Sequence, residues 1–115
     1  MSEQVGIDIV EFSRIKKMLS DAFINRILSL KELSYLNKIT NEKRKLEYIA
    51  SRFAAKEAYT KVYKRFESPL NFKDVSILKD KYGAPYIETP YRSEDTILIS
   101  ISHSENYAIA ICIKK

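Results

Sequence analysis

An acidic residue lies on the burial face of the longest helical segment in this chain, and that placement restricts how the segment can pack. Leu46, Ile49, Ala50, Phe53 and Ala54 follow the three-and-four spacing of an apolar helical face. At about 100° per residue, Glu57 projects about 20° from Leu46, near the middle of that face. Lys61, one turn on, lies about 40° further round. An ionised carboxylate on a burial face is costly unless a cation or strong donors offset it. Positive charge is therefore expected beside Glu57.

A second acid is equally out of place. Val5-Gly6-Ile7-Asp8-Ile9-Val10 reads as a short apolar strand, of the kind usually covered on both faces. Asp is depleted in strands, so Asp8 at its centre calls for a reason. Gly6, two residues earlier on the same face, leaves room for something to approach. One carboxylate from a strand and one from a helix could share a hard divalent cation. Mg²⁺ is commonly held by one or two carboxylates and completed by water and phosphate oxygens.

Each acid also has an ordinary explanation. Glu57 and Lys61 stand at i,i+4 in the favourable order, as in a surface pair worth a few tenths of a kcal/mol. Asp8 could cap a helix beginning near Glu11 or Ser13, although it sits early for that. Taken together, with Lys61 beside them, the acids favour a site for metal and phosphate.

With 115 residues, the chain has room for one domain with a real core. It is 45% hydrophobic and 30% charged, an ordinary globular balance, and no apolar run is long enough to span a bilayer. The polar start Met1-Ser2-Glu3-Gln4 does not resemble a signal peptide. A lone cysteine, Cys112, excludes an intrachain disulfide and fits the reducing cytoplasm as a buried, inert thiol. A net charge of +5 favours anionic partners without choosing among them. Only two glycines occur, Gly6 and Gly83, which excludes Walker and dinucleotide-binding loops. Phosphate must then be held by side chains, metal or helix ends.

Helical spacing continues from Glu11 to about Ser20, with Phe12, Ile15, Met18 and Leu19 inside and Arg14, Lys16 and Lys17 outside. A second stretch runs from about Ser29 to Ile39, striped by Leu30, Leu33, Leu36 and Ile39. Thr40-Asn41 breaks it and caps the long helix, expected from about Glu42 to Arg65, and Ser68-Pro69 marks a loop. Strands follow: Asp74 to Lys79, then a turn at Lys81-Tyr82-Gly83-Ala84-Pro85, then Tyr86-Ile87-Glu88. Thr96 to Ser102 and Tyr107 to Ile113 form a hairpin through His103-Ser104-Glu105-Asn106. Helices in the N-terminal half packed on a mainly antiparallel sheet predict a single α+β domain over residues 1–115.

Ser102-His103-Ser104 holds the only histidine, but nothing around Ser102 resembles a nucleophile elbow. A histidine at a strand end can donate to phosphate or simply stabilise the turn. One His and one Cys nine residues apart support no zinc site. Lys43, Arg44, Lys45 and Arg52 cluster along the first turns of the long helix, ordinarily a solvated face, yet Arg52 directly precedes the unusual segment and suits bidentate phosphate contact. Arg14, Lys17 and Arg26 make another basic surface, read as solubility or as protein docking.

The pairing of Gly6-Ile7-Asp8-Ile9-Val10-Glu11 with Phe53-Ala54-Ala55-Lys56-Glu57-Ala58-Tyr59-Thr60-Lys61 resembles the 4′-phosphopantetheinyl transferases. The length and the late Ile101-Ser102-His103-Ser104 segment resemble their short bacterial type, over nearly the whole chain. The resemblance implies that fold, and transfer of the phosphopantetheine arm of coenzyme A to a serine of apo acyl carrier protein, releasing adenosine 3′,5′-bisphosphate. By the same resemblance, Asp8 and Glu57 are Mg²⁺ ligands bridging to the diphosphate, and Lys61 contacts the phosphates and assists the serine proton. His103 with Ser102 matches the segment near the 3′-phosphate, and Gly83-Ala84-Pro85 matches the turn against the adenine. Arg14 matches a position that meets the acidic carrier protein; Lys17 and Met18 on the same helix are placed with it. Short members are homotrimers with sites between subunits, fatty acid biosynthesis is their setting, and no nucleic acid or membrane partner is implied. The chain departs from the family in having no glycine from Val62 to Pro69, and in Ala84, where lysine is common.

The chemistry of such a transfer agrees with these residues. It relies mainly on positioning and charge neutralisation, which a metal and a lysine supply. The serine proton acceptor remains open among Glu57, a neutral Lys61 and a metal-bound water. The main competing class is a basic nucleic-acid-binding domain, suggested by the charge and the eight tyrosines. It leaves Asp8 and Glu57 unexplained, because acids repel phosphate without metal. A noncatalytic oligomerisation module on the same scaffold is a third class.

Overall fold

The long helix is the axle of the molecule. The computed structural model describes residues 3–63, 70–91 and 96–115. Strand β1 (Gln4–Glu11) leads into three short helices, α1 (Phe12–Met18), α2 (Asp21–Ile27) and α3 (Leu30–Leu36). Helix α4 (Glu42–Tyr63) follows, then β2 (Ser76–Lys79), β3 (Pro85–Glu88), β4 (Ile97–His103) and β5 (Tyr107–Lys114). A single 3-10 turn, Phe72–Asp74, precedes β2. The strands form two antiparallel sheets, one in the order β1-β5-β4 and one pairing β2 with β3. Helices in the first half on antiparallel sheet are the predicted α+β arrangement.

Helix α4 contains no Gly or Pro, and Asn41 caps it by accepting from the Arg44 amide at 3.0 Å, as predicted. The predicted extension to Arg65 and the Ser68-Pro69 loop lie outside the described residues. Small residues let α4 approach the three-stranded sheet closely. Ala50, Ala54, Ala55 and Ala58 are buried on the helix, and Ala108, Ala110 and Cys112 on β5. Pairing of Gly6 with Cys112, Asp8 with Ala110 and Val10 with Ala108 places the inward row of β1 beside that of β5. Burial pushes the Cys112 thiol up to about 11, the inert thiol expected.

Several elements differ from the sequence expectation. The strand around Asp8 is an edge strand covered on one face: Val10 is buried, while Val5, Ile7 and Ile9 are 62%, 52% and 59% exposed. Its continuous apolar run reflects an inner face packed on α4 and an outer face that none of the described residues covers. The first helical stretch ends at Met18, and α2, absent from the sequence reading, begins after Ser20, whose side chain accepts from the Phe23 amide. Met18 and Leu19, expected inside, are both exposed, because the chain turns there before completing the stripe. Leu30 likewise leaves its stripe and is largely exposed at the first turn of α3. The β4–β5 hairpin is as predicted, closed by the Ser104 amide on the Tyr107 carbonyl.

Candidate active site

Asp8 and Glu57 meet where β1 crosses α4. Gly6 makes that crossing possible: a Cβ there would lie 2.2 Å from the Ala58 carbonyl oxygen and 2.9 Å from the Lys61 Cβ. The approaching group that Gly6 admits is therefore the α4 backbone itself. Lys61 strengthens the same contact, its Nζ donating to the Ile7 carbonyl at 2.5 Å and standing 3.8 Å from Asp8 Oδ1.

The two carboxylates are only partly buried and are electrostatically strained. Burial raises the Asp8 pKa from its ordinary value, opposed by the charges of Lys61 and Arg14. Burial also raises that of Glu57, and the neighbouring Asp8 charge raises it further, again opposed by Lys61 and Arg14. The cation expected beside Glu57 is thus two cations. Arg14, assigned from sequence to a docking surface, also lies within electrostatic reach of the acids. Among the described residues, no group of three or more His, Cys, Asp and Glu could enclose a metal. Two convergent carboxylates with incompletely compensated charge and open surroundings fit Mg²⁺, which keeps several water or substrate oxygens, and do not fit a metal needing a full protein cage.

A cleft of about 350 Å³ lies elsewhere along α4. Arg52, Gly83, Pro85 and His103, four of the residues assigned to coenzyme binding, line it together with Arg44 and Lys79. Gly83 adopts φ of 84°, the left-handed conformation that makes glycine necessary in this turn. Ser102 is not part of this cleft. It pairs with Ile109 on the outer face of the sheet, whereas His103 pairs with Ala108 and turns inward. Two residues adjacent in sequence serve opposite faces of a strand. On α1, Arg14 and Lys17 are exposed. Met18 lines an apolar hollow with Phe23, Arg26 and Phe53.

Sequence reasoning missed the most deeply buried charge. Lys56 and Glu32 are both fully inaccessible, with Nζ and Oε1 2.5 Å apart. Lys56 also donates to the carbonyls of Ile27 at 2.6 Å and Phe72 at 3.0 Å, so all three ammonium protons are placed. Glu32 accepts from the Ser29 and Ile77 amides and closes a capping box on α3. The Ser29-x-x-Glu32 spacing was the available signal. The cleft has a further unforeseen feature, Tyr48 stacked on Tyr35 with ring centroids 5.0 Å apart.

Comparison with known proteins agrees with this architecture. The family model of the 4′-phosphopantetheinyl transferase superfamily matches residues 4–112. A holo-[acyl-carrier-protein] synthase of Acholeplasma laidlawii is 42% identical over 113 residues, covering 98% of this chain and 96% of that protein. One from Oceanobacillus iheyensis is 41% identical, with 92% and 90% covered. The crystal structure of a holo-(acyl-carrier-protein) synthase from Bacillus anthracis in complex with CoA (3′,5′-ADP) superposes with a TM-score of 0.84 at 38% identity, covering 96% of this chain and 93% of that one. The Helicobacter pylori holo-[acyl-carrier-protein] synthase, in complex with coenzyme A, gives 0.79 at 30% identity, covering 97% and 100%. This chain belongs to the 4′-phosphopantetheinyl transferase superfamily, in its short holo-[acyl-carrier-protein] synthase branch, and is a transferase.

Proposed function

We propose that this enzyme transfers the 4′-phosphopantetheine arm of coenzyme A to a serine of apo acyl carrier protein, with Mg²⁺, releasing adenosine 3′,5′-bisphosphate. The observation that carries the reading is the convergence of Asp8 and Glu57, from separate elements, into one strained acidic pair flanked by Lys61 and Arg14. Two relatives with this fold were crystallised with coenzyme A or its nucleotide, which supports the same donor here.

Asp8 and Glu57 would hold the metal. When bound, Mg²⁺ polarises the diphosphate and stabilises the leaving group. Lys61 donates to the Ile7 carbonyl, which holds its amino group beside the acids, where it would neutralise phosphate charge. The cleft with Arg52 and His103 would hold the nucleotide end, with Gly83 and Pro85 against the base. Arg14, Lys17 and Met18 would meet the carrier protein, an acidic partner suited to the exposed cations of α1. Modification of such a carrier would serve fatty acid biosynthesis, and we read the enzyme as cytoplasmic.

The enzyme is read as a homotrimer of single-domain subunits. Val5, Ile7, Ile9, Leu98, Tyr107 and Ile109 are exposed along the outer sheet face, an apolar surface that a neighbouring copy would cover. Ser102 lies on this face, where it could contribute to a site shared between subunits.

Incubation with apo acyl carrier protein, coenzyme A and Mg²⁺ should increase the carrier mass by one phosphopantetheine arm. A carrier left unmodified, or modified equally after chelation of divalent ions, would refute the transfer or its metal dependence respectively. Light scattering on a sizing column should give three chains; a monomer would remove the trimer.

A further inference from the structure

We infer that the stack of Tyr35 and Tyr48 positions Arg52 so that the enzyme selects coenzyme A over the analogue lacking its 3′-phosphate. The inference rests on coenzyme A being the donor. Tyr48 and Arg52 stand four residues apart on α4, so their side chains share one face of the helix. The Arg52 guanidinium carbon lies 4.1 Å from the centre of the Tyr48 ring. Tyr35, from α3, stacks on Tyr48 at an interplanar angle of 18°. Tyr35, Tyr48 and Arg52 thus contact one another in sequence at the wall of the cleft, which His103 also lines.

Arg52 is nearly fully buried, yet its hydrogen bonding is incomplete. Nη1 donates to Ser51 Oγ at 3.1 Å, and Nε has no partner among the described residues. A buried guanidinium with an idle donor is costly unless a ligand completes it. Placed over the Tyr48 ring, the guanidinium is limited in the directions it can take, and a planar, fork-shaped cation at the wall of a cleft suits a phosphate. Without the ring, the long side chain would regain rotamers that point its donors elsewhere.

Position along the helix selects the phosphate. Arg52 precedes Glu57 by five residues, about 7.5 Å of rise and about 140° of turn. Neither Asp8 nor Glu57 lines this cleft. A diphosphate engaged at the acids leaves the separate phosphate on the 3′ oxygen of the ribose for Arg52. Tyr48 touches no substrate in this scheme and is a positioning residue.

The test measures kcat/KM with coenzyme A and with 3′-dephospho-coenzyme A, on one apo carrier protein. Tyr48→Leu should lower the preference for coenzyme A about tenfold, through KM for coenzyme A. The dephospho rate should stay within about twofold, while Tyr48→Phe, which keeps the ring, should retain most of the wild-type preference. Arg52→Ala should abolish the preference, and Tyr48→Leu should add nothing in that background. Should Tyr48→Leu not fold, the half-exposed Tyr35→Leu serves, with about a threefold loss of preference expected. An unchanged preference in the folded variant, or an equal loss with both donors, would overturn the positioning role. A wild-type enzyme that modifies no carrier with either donor would instead refute the donor assignment.

Discussion

Two charged clusters occupy adjacent positions on α4 and are built on opposite plans. Lys56 and Glu32 are sealed from solvent, and their hydrogen bonds to Ile27, Phe72, Ser29 and Ile77 fill the network. Asp8 and Glu57 remain accessible and mutually repelling, opposed by only a partly exposed Lys61 and by Arg14. Burial alone therefore does not identify a functional charge. The sealed pair joins α2, α3, α4 and the approach to β2, and leaves no capacity for a ligand. The open pair retains capacity because Lys61 and Arg14 compensate its charge only in part.

If that distinction holds, substitutions in the two clusters should separate activity from stability. Glu57→Gln should lower carrier modification at least about 100-fold. It should leave the melting temperature unchanged or raised, since it relieves repulsion with Asp8. A variant with near wild-type activity would break the comparison on its functional side. Lys56→Met should behave in the opposite way. Stranding the Glu32 carboxylate in the core should cost about 3–5 kcal/mol, read by urea unfolding. Adding Glu32→Leu should recover only part of that loss, because the Ser29 and Ile77 amides then lose their acceptor. A double variant no more stable than the single would show that the pair is doing more than satisfying itself.

Gly6→Ala sharpens the contrast at the joint between β1 and α4. The added methyl meets the Ala58 backbone, so the strand must move, at about 1–3 kcal/mol. Movement there alters the spacing of Asp8 and Glu57, and the Mg²⁺ concentration for half-maximal activity should rise. An unshifted magnesium dependence in a folded variant would show that the strand relaxes without disturbing the acids.

The smaller features divide along a similar line of local against distant information. The period of α4, its Asn41 cap and the turn at Gly83 depend on neighbours within a few residues, and all were legible. Helix α2 was missed because its seven residues carry too little periodicity, although Ser20 was a readable cap. Asp8 and Glu57 stood out as acids in apolar patterns. Lys56 did not, because a lysine between Ala55 and Glu57 looks like any helical surface residue until Glu32 is brought to it. Likewise, neither Tyr35 nor Tyr48 announces a stack when 13 residues and a helix boundary separate them.

The sequence by itself determined the family, the order of helices and strands, and which acids were anomalous, since these follow from short-range spacing and residue chemistry. Only the tertiary structure decided which charges are satisfied. That property depends on partners from distant segments: Glu32 delivered to Lys56, Asp8 to Glu57 across the notch at Gly6, and His103 and Ser102 divided between two faces of one strand. Electrostatic cost is set by three-dimensional surroundings, and those exist only once the helix has docked on the sheet.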